Sequence, residues 1–232
     1  MASVTVERLI KDFDFEVLVE GKKGITIDVS DINRPGLQLS GFYNYFAPER
    51  IQVIGKAEWS YIEDMIPEIR RKRVTKFFSF NISCLIITRG LEPHKDFLDN
   101  AKKTNTWIIR TDLITTHCMS RLTMYLADKL APEVRLHGVL VDVYGIGVLI
   151  TGESGIGKSE AALELIKRGH RIVTDDAVDI KEIDGELIGI APTITFGMLE
   201  VRGMGIIDIS ALYGLSSVIS NKEIKLSVHL EY

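Results

Sequence analysis

The sequence predicts an α/β chain in two parts, a small N-terminal α/β domain over residues 1–130 and a second domain over 131–232 built on a mixed or antiparallel sheet. Three observations predict this. Net charge shifts from +2 (19 basic, 17 acidic residues) to −6 (9 basic, 15 acidic) at Ala131-Pro132-Glu133. Short apolar runs alternate with amphipathic helical ones through the first part. The second part opens with two apolar runs joined by a turn too short for a parallel crossover, which needs a dozen residues or more.

With 46% hydrophobic and 26% charged residues in 232, disordered, collagen-like and disulfide-scaffold classes are excluded. A formal charge of −4 argues against general nucleic-acid coating, which relies on clustered Lys and Arg. Cys84 and Cys118 each stand alone among apolar residues, which fits buried thiols in a reducing cytoplasm. No basic, apolar leader opens the sequence, and the longest apolar stretch (138–152) is interrupted by Asp142, so neither secretion nor a membrane span is expected.

In chain order, Val6, Leu9 and Ile10 have helical spacing, and residues 24–29 alternate like a strand. Asn33-Arg34-Pro35-Gly36 predicts a turn, with proline presetting φ and glycine allowing φ > 0. Arg70-Arg71-Lys72-Arg73 reads as a solvated helix end, with a phosphate contact as the alternative. Residues 84–88 read as a buried strand, 95–103 as a helix and 107–109 as another strand. An amphipathic helix through Met119, Leu122, Tyr125 and Leu126 ends before Pro132, with a linker expected at 129–136.

The second part carries the chemistry. Val139-Leu140-Val141-Asp142-Val143 predicts a strand, Tyr144-Gly145-Ile146-Gly147 a turn, and Val148-Leu149-Ile150-Thr151 an antiparallel second strand. Gly152-Glu153-Ser154-Gly155-Ile156-Gly157-Lys158-Ser159 then matches the P-loop pattern G-x-x-x-x-G-K-[ST], with a helix over 158–168 and a glycine stop at Gly169. Such a loop aims successive backbone N–H groups at phosphate oxygens. Lys158 neutralises the moving phosphoryl and the Ser159 hydroxyl is placed for Mg²⁺.

Arg171 to Thr174 predicts a strand ending in Asp175-Asp176, two carboxylates for a metal ion or a proton, and adjacent positions should give them different roles. Asp184-Gly185 between apolar runs predicts a type I′ hairpin. His137, directly before the first strand, is a catalytic candidate, whereas His170 and His229 are read as structural. The segment from Glu200 through Arg202, Gly203 and Gly205 to Ile207 fits either a loop closing over phosphate or a plain turn. Residues 224–230 alternate as a half-buried strand.

Taken together, the runs 136–145 and 152–160, the segment Lys167-Arg168-Gly169-His170-Arg171 with Asp175-Asp176, and Leu199 to Ile207 closely resemble bacterial HPr kinase/phosphorylases. Asn33 to Gly36 and Arg50 to Gly55 resemble that family's N-terminal domain. The resemblance implies a bifunctional enzyme that phosphorylates a serine of HPr, the phosphocarrier of the sugar phosphotransferase system, with ATP or pyrophosphate. It also implies the reverse step by phosphorolysis to pyrophosphate, in carbon catabolite control. The implied fold is a P-loop kinase domain related to phosphoenolpyruvate carboxykinase, and the implied assembly a cytoplasmic hexamer.

Carried onto this sequence, Gly152 to Ser159 bind the phosphates, Lys158 stabilises the phosphoryl, and Ser159 and Glu200 ligate Mg²⁺. Asp176 becomes the general base and then acid, with His137 beside it, and Asp175 is expected next to the metal. Residues 200–209 match the signature segment needed for both reactions. The resemblance also implies further chain beyond the last strand, with an active-site arginine, a flexible loop and C-terminal helices, so the sequence is expected to be a truncated form. Two other readings of the same residues are a small-molecule kinase on this scaffold and a nucleotide sensor, which would need no base such as Asp176.

Overall fold

The computed structural model describes residues 2–232, which form two compact units, the first ending at Leu130 and the second running over Ala131–Tyr232.

The first unit contains, in chain order, β1 (Val4–Thr5), α1 (Val6–Phe13), β2 (Glu16–Val19), β3 (Thr26–Ile27), β4 (Ile32–Asn33), α2 (Gly36–Ser40) and β5 (Ile51–Ile54). There follow α3 (Lys56–Glu63), α4 (Pro67–Phe78), β6 (Cys84–Ile87), α5 (Lys95–Thr104), β7 (Trp107–Arg110) and α6 (Thr115–Leu130). Five strands form one sheet in the order β2-β7-β6-β5-β4, parallel from β4 through β7 with β2 antiparallel at one edge, and β1 pairs separately with β3.

Strand alternation sorts the side chains onto two apolar faces. Ile51, Val53, Cys84, Ile86, Trp107 and Ile109 join Leu9 of α1 and Leu122 and Leu126 of α6 in one cluster. Ile54, Leu85, Ile87 and Ile108 join Ile62 of α3, Val74 and Phe77 of α4, and Phe97 of α5 in the other. Cys84 and Cys118 are buried and unbridged, and burial pushes the Cys84 thiol up to about 12 and that of Cys118 to about 11.

Several local expectations change. Only Thr26–Ile27 of the alternating stretch pairs as a strand. Gly36 opens α2 rather than using φ > 0, because Pro35 already sits at the helix N-cap. The basic run lies within α4 rather than at its end, since the helix continues to bury Val74, Phe77 and Phe78.

The second unit contains β8 (Glu133–His137), β9 (Val139–Val143), β10 (Ile146–Gly152), α7 (Lys158–Lys167), β11 (Arg171–Thr174), β12 (Ala177–Ile183) and β13 (Glu186–Ile190). It ends with β14 (Met198–Val201), β15 (Gly205–Asp208), α8 (Ile209–Tyr213), a 3₁₀ turn (Leu215–Ser217) and β16 (Asn221–Leu230). Seven strands form a mixed sheet in the order β11-β9-β10-β16-β13-β12-β8, in which only β10 and β16 run parallel. β14 and β15 form a separate hairpin.

Both short connections close as two-residue turns with positive φ at each position, Tyr144-Gly145 at 52° and 86° and Asp184-Gly185 at 52° and 83°. Those angles match the right-handed twist of an antiparallel pair. β9 and β10 are accordingly antiparallel, with Val143 opposite Ile146, so the turn is two residues shorter than the sequence pattern indicates. α7 covers one face through Ala162, Leu163 and Ile166, which pack with Val139, Val141 and Ile150.

Two further expectations are corrected. The linker assigned to 129–136 is confined to a short connection, because α6 runs to Leu130 and Glu133–His137 is a strand. That strand is exposed at every position and lies at the sheet edge, so no apolar alternation marked it. Its pairing with β12 is instead accompanied by an ion pair from Arg135 to Asp179 at 2.6 Å. The last strand forms as expected, yet Leu226 and Val228 remain exposed rather than half-buried. No described helix is long and apolar enough to cross a membrane.

Candidate active site

β10 delivers the chain to the glycine-rich loop at Gly152, and α7 begins at Lys158. Gly155 and Gly157 take φ of 82° and 107°, conformations that side chains with a Cβ rarely adopt. No side chain caps α7, so its first backbone N–H groups keep their donor capacity at the positive end of the helix dipole. Lys158 is buried, and its Nζ donates to the carbonyls of Gly152 and Glu153, both at 2.9 Å. An ammonium has three protons, so one remains for a phosphoryl oxygen.

Ser159, one residue further into α7, donates through Oγ to Oδ1 and Oδ2 of Asp175 at 2.9 and 3.2 Å. Asp175 Oδ2 also accepts the backbone N–H of Glu200 at 2.9 Å. Asp175 is buried, and that burial raises its carboxyl above the ordinary value despite the stabilising bonds from Glu200 N–H and the Ser159 hydroxyl. Its neighbour Asp176 differs sharply, with a side chain 72% exposed and a left-handed φ of 67°. The two acids diverge as expected, but through this bend after β11 rather than through strand alternation.

Asp176 Oδ1 lies 2.9 Å from Nδ1 of His137. Strand pairing makes this contact: His137 stands opposite Ala177 in the β8–β12 ladder, and the Gly138 N–H donates to the Asp176 carbonyl at 3.1 Å. β14 brings Glu200 to the same place, and the turn between β14 and β15 adds Arg202.

The result is a cavity of about 230 Å³ whose walls include His137, Lys158, Ser159, Asp175, Asp176 and Glu200, together with Ser154, Gly155 and Gly157 of the loop. Gly152, Glu153 and Ile156 belong to the loop but not to the wall; the first two supply the carbonyls that hold Lys158. Arg202, read in the sequence only as part of a segment that closes over phosphate or forms a plain turn, and Glu160, given no role there, also line it. The signal for Arg202 lay in its place within the Glu200 to Gly205 hairpin. His170 and His229 lie outside the cavity; His170 packs edge-on to Tyr144 at 4.6 Å, and Nδ1 of His229 is 3.0 Å from Thr151 Oγ1.

A cationic donor, an uncapped helix N-terminus, two carboxylates of unlike exposure and a histidine suit the transfer of a phosphoryl group to a hydroxyl. Comparison with known proteins agrees. Residues 4–126 match the family described as HPr Serine kinase N terminus, and residues 128–232 match HPr Serine kinase C-terminal domain. The chain is 72% identical to an HPr kinase/phosphorylase of Clostridium perfringens (strain SM101 / Type A), over 99% of this chain and 75% of the relative. It is 62% identical to one of Clostridium acetobutylicum, over 98% of this chain and 75% of the relative. Among solved structures, the Hpr(Ser) kinase/phosphatase from Coxiella burnetii is 43% identical with a TM-score of 0.42, covering 42% of this chain and 65% of that one.

Proposed function

The chain belongs to the HPr kinase/phosphorylase family, and we propose that the cavity between the glycine-rich loop and the Asp175-Asp176 bend is where it moves a phosphoryl group to and from a serine of HPr. One observation carries the reading: an exposed carboxylate, Asp176, shares one cavity with the buried ammonium of Lys158 and is held by His137 at 2.9 Å.

The loop amides and the N-terminus of α7 bind the phosphates of ATP or pyrophosphate, read as a P-loop. The free N–H of Lys158 follows the transferring phosphoryl and offsets the charge that develops on it. Asp176 removes the proton from the serine hydroxyl as its oxygen attacks phosphorus, and the bond to the leaving phosphate breaks. In reverse, an oxygen of inorganic phosphate attacks the phosphoserine phosphorus, Asp176 returns the proton to the serine oxygen, and pyrophosphate leaves. His137 positions the Asp176 carboxylate through both directions.

The Ser159 hydroxyl and the carboxylates of Asp175, Asp176 and Glu200 are hard oxygen donors, a set that fits Mg²⁺. Of these, the Ser159 hydroxyl and the Glu200 carboxylate would hold the ion, with phosphate oxygens and water completing its shell. When bound, Mg²⁺ would supply charge neutralisation between the phosphates, with Ser159 and Glu200 as its protein ligands.

The antiparallel β9–β10 hairpin before the loop supports a phosphoenolpyruvate carboxykinase-like sheet for the second unit. Residues 1–130 are read as the N-terminal domain, and the assembly as a cytoplasmic hexamer on family membership. The test is to incubate the full-length protein with HPr, Mg²⁺ and ATP, identify phosphoserine by mass spectrometry, then add phosphate and measure pyrophosphate. Asp176→Ala should abolish both reactions while nucleotide affinity stays close to wild type. Turnover by Asp176→Ala, or no phosphoserine with wild type, would sink the assignment.

A further inference from the structure

The basic run on α4 has no part in that chemistry, and its side chains divide into two sets. Arg70 and Arg71 turn toward Asp96, with their Nε atoms at 3.1 and 3.9 Å from its oxygens. Lys72, Arg73 and Lys76 form no ion pair among the described residues. Together with Gly41 and Tyr43 these three border a cavity of about 750 Å³ within the first unit, inside the range of small-molecule sites.

The cavity is shaped rather than incidental. Gly41 ends α2 at φ 98°, and Arg73 Nη1 lies 1.2 Å from where a Cβ at Gly41 would stand, so the missing side chain seats the guanidinium. The Tyr43 ring stacks on Phe80 at 4.7 Å and forms an aromatic wall, while Lys76 Nζ sits 4.8 Å from the centre of the Phe80 ring. The Tyr43 hydroxyl is shielded from water and has no hydrogen-bond partner. Glu68 is the single acid on the wall, against four cations.

We propose that this cavity binds a small organic phosphate. Lys72 and Lys76 stand at i and i+4, where like charges repel unless an anion sits between them. The planar fork of Arg73 matches phosphate oxygens. The Tyr43 wall and the aliphatic stems of the lysines accept an apolar or ring-bearing body.

Isothermal titration with phenyl phosphate tests this on the whole chain, with phenol as the neutral control and Lys158→Ala as the control for the phosphate loop. Phenyl phosphate should bind at millimolar concentration or below, phenol should not, and Lys158→Ala should retain the binding. The double variant Lys72→Gln/Lys76→Gln should weaken it about tenfold or more with an unchanged melting temperature, since both positions are exposed. Gly41→Ala, which displaces Arg73, should weaken it as well. Absence of binding, equal binding by the double variant, or loss of binding in Lys158→Ala would overturn the proposal.

Discussion

The Ser159 hydroxyl donates to both oxygens of Asp175, at 2.9 and 3.2 Å, and so ties the start of α7 to the bend after β11. The same carboxylate takes the Glu200 N–H from the β14–β15 hairpin. Three segments distant in sequence thus meet on one buried acid. That acid pays for the arrangement in desolvation, which raises its carboxyl above the usual 3.8.

The first prediction follows from that direction. An acid whose folded pKa is raised binds its proton more tightly in the native state, so its contribution to stability declines as pH rises through the carboxylate range. The melting temperature of Asp175→Asn relative to wild type should therefore climb as pH increases above 3.8 and level once Asp175 is ionised. Thermal unfolding across a pH series measures it. A relative melting temperature that falls as pH rises would show that hydrogen bonding, not burial, governs this carboxylate.

His137 is bonded to Asp176, whereas Lys158 is held by the carbonyls of Gly152 and Glu153, so removal of His137 should affect turnover more than nucleotide binding. His137→Ala is expected to lower kcat for HPr phosphorylation by roughly a hundredfold, the low end of what a positioned proton-transfer group supplies, since His137 acts through Asp176. Nucleotide affinity, measured by titration, should stay near wild type. If affinity falls in step with kcat, His137 supports the loop instead.

Gly155 combines φ of 82° with a close neighbour, since a Cβ there would lie 2.4 Å from Arg202 Nη2. Gly155→Ala should strain the loop by about 1–3 kcal/mol and push Arg202 away. We expect roughly tenfold weaker ATP binding, with little change in the unfolding of the first unit. Unaltered affinity would mean that the loop conformation seen here is not the one that holds phosphate.

Gly147 tests the sheet itself. A Cβ at this position would stand 2.0 Å from the Glu223 carbonyl oxygen on β16, a backbone atom that moves only with its strand. Gly147→Ala should cost about 3 kcal/mol by chemical denaturation. Gly145→Ala, in open space at φ 86°, should cost about 1 kcal/mol. Equal losses would argue against the parallel pairing of β10 with β16.

Much of the site was readable because its parts are local. The loop motif occupies eight consecutive residues, and Lys158, Ser159 and the Asp175-Asp176 pair stand at the ends of elements whose apolar patterns are strong. Arg202 was harder to assign, since its turn looks like any glycine-bearing hairpin until it is placed beside Gly155. β8 escaped notice because all five of its residues are exposed, leaving no alternation to read.

The sequence alone therefore determined the two hairpin turns, the glycine-rich loop and the helix behind it. Each depends on φ preferences and side-chain periodicity within a few residues. Only the tertiary structure decided that β8 pairs with β12, setting His137 against Asp176 across 39 positions of sequence, and that β16 runs parallel to β10. Those choices rest on which backbone edges remain free to pair once the neighbouring strands have formed. Backbone N–H and C=O groups are alike in every residue except proline, so no local pattern records which partner they take.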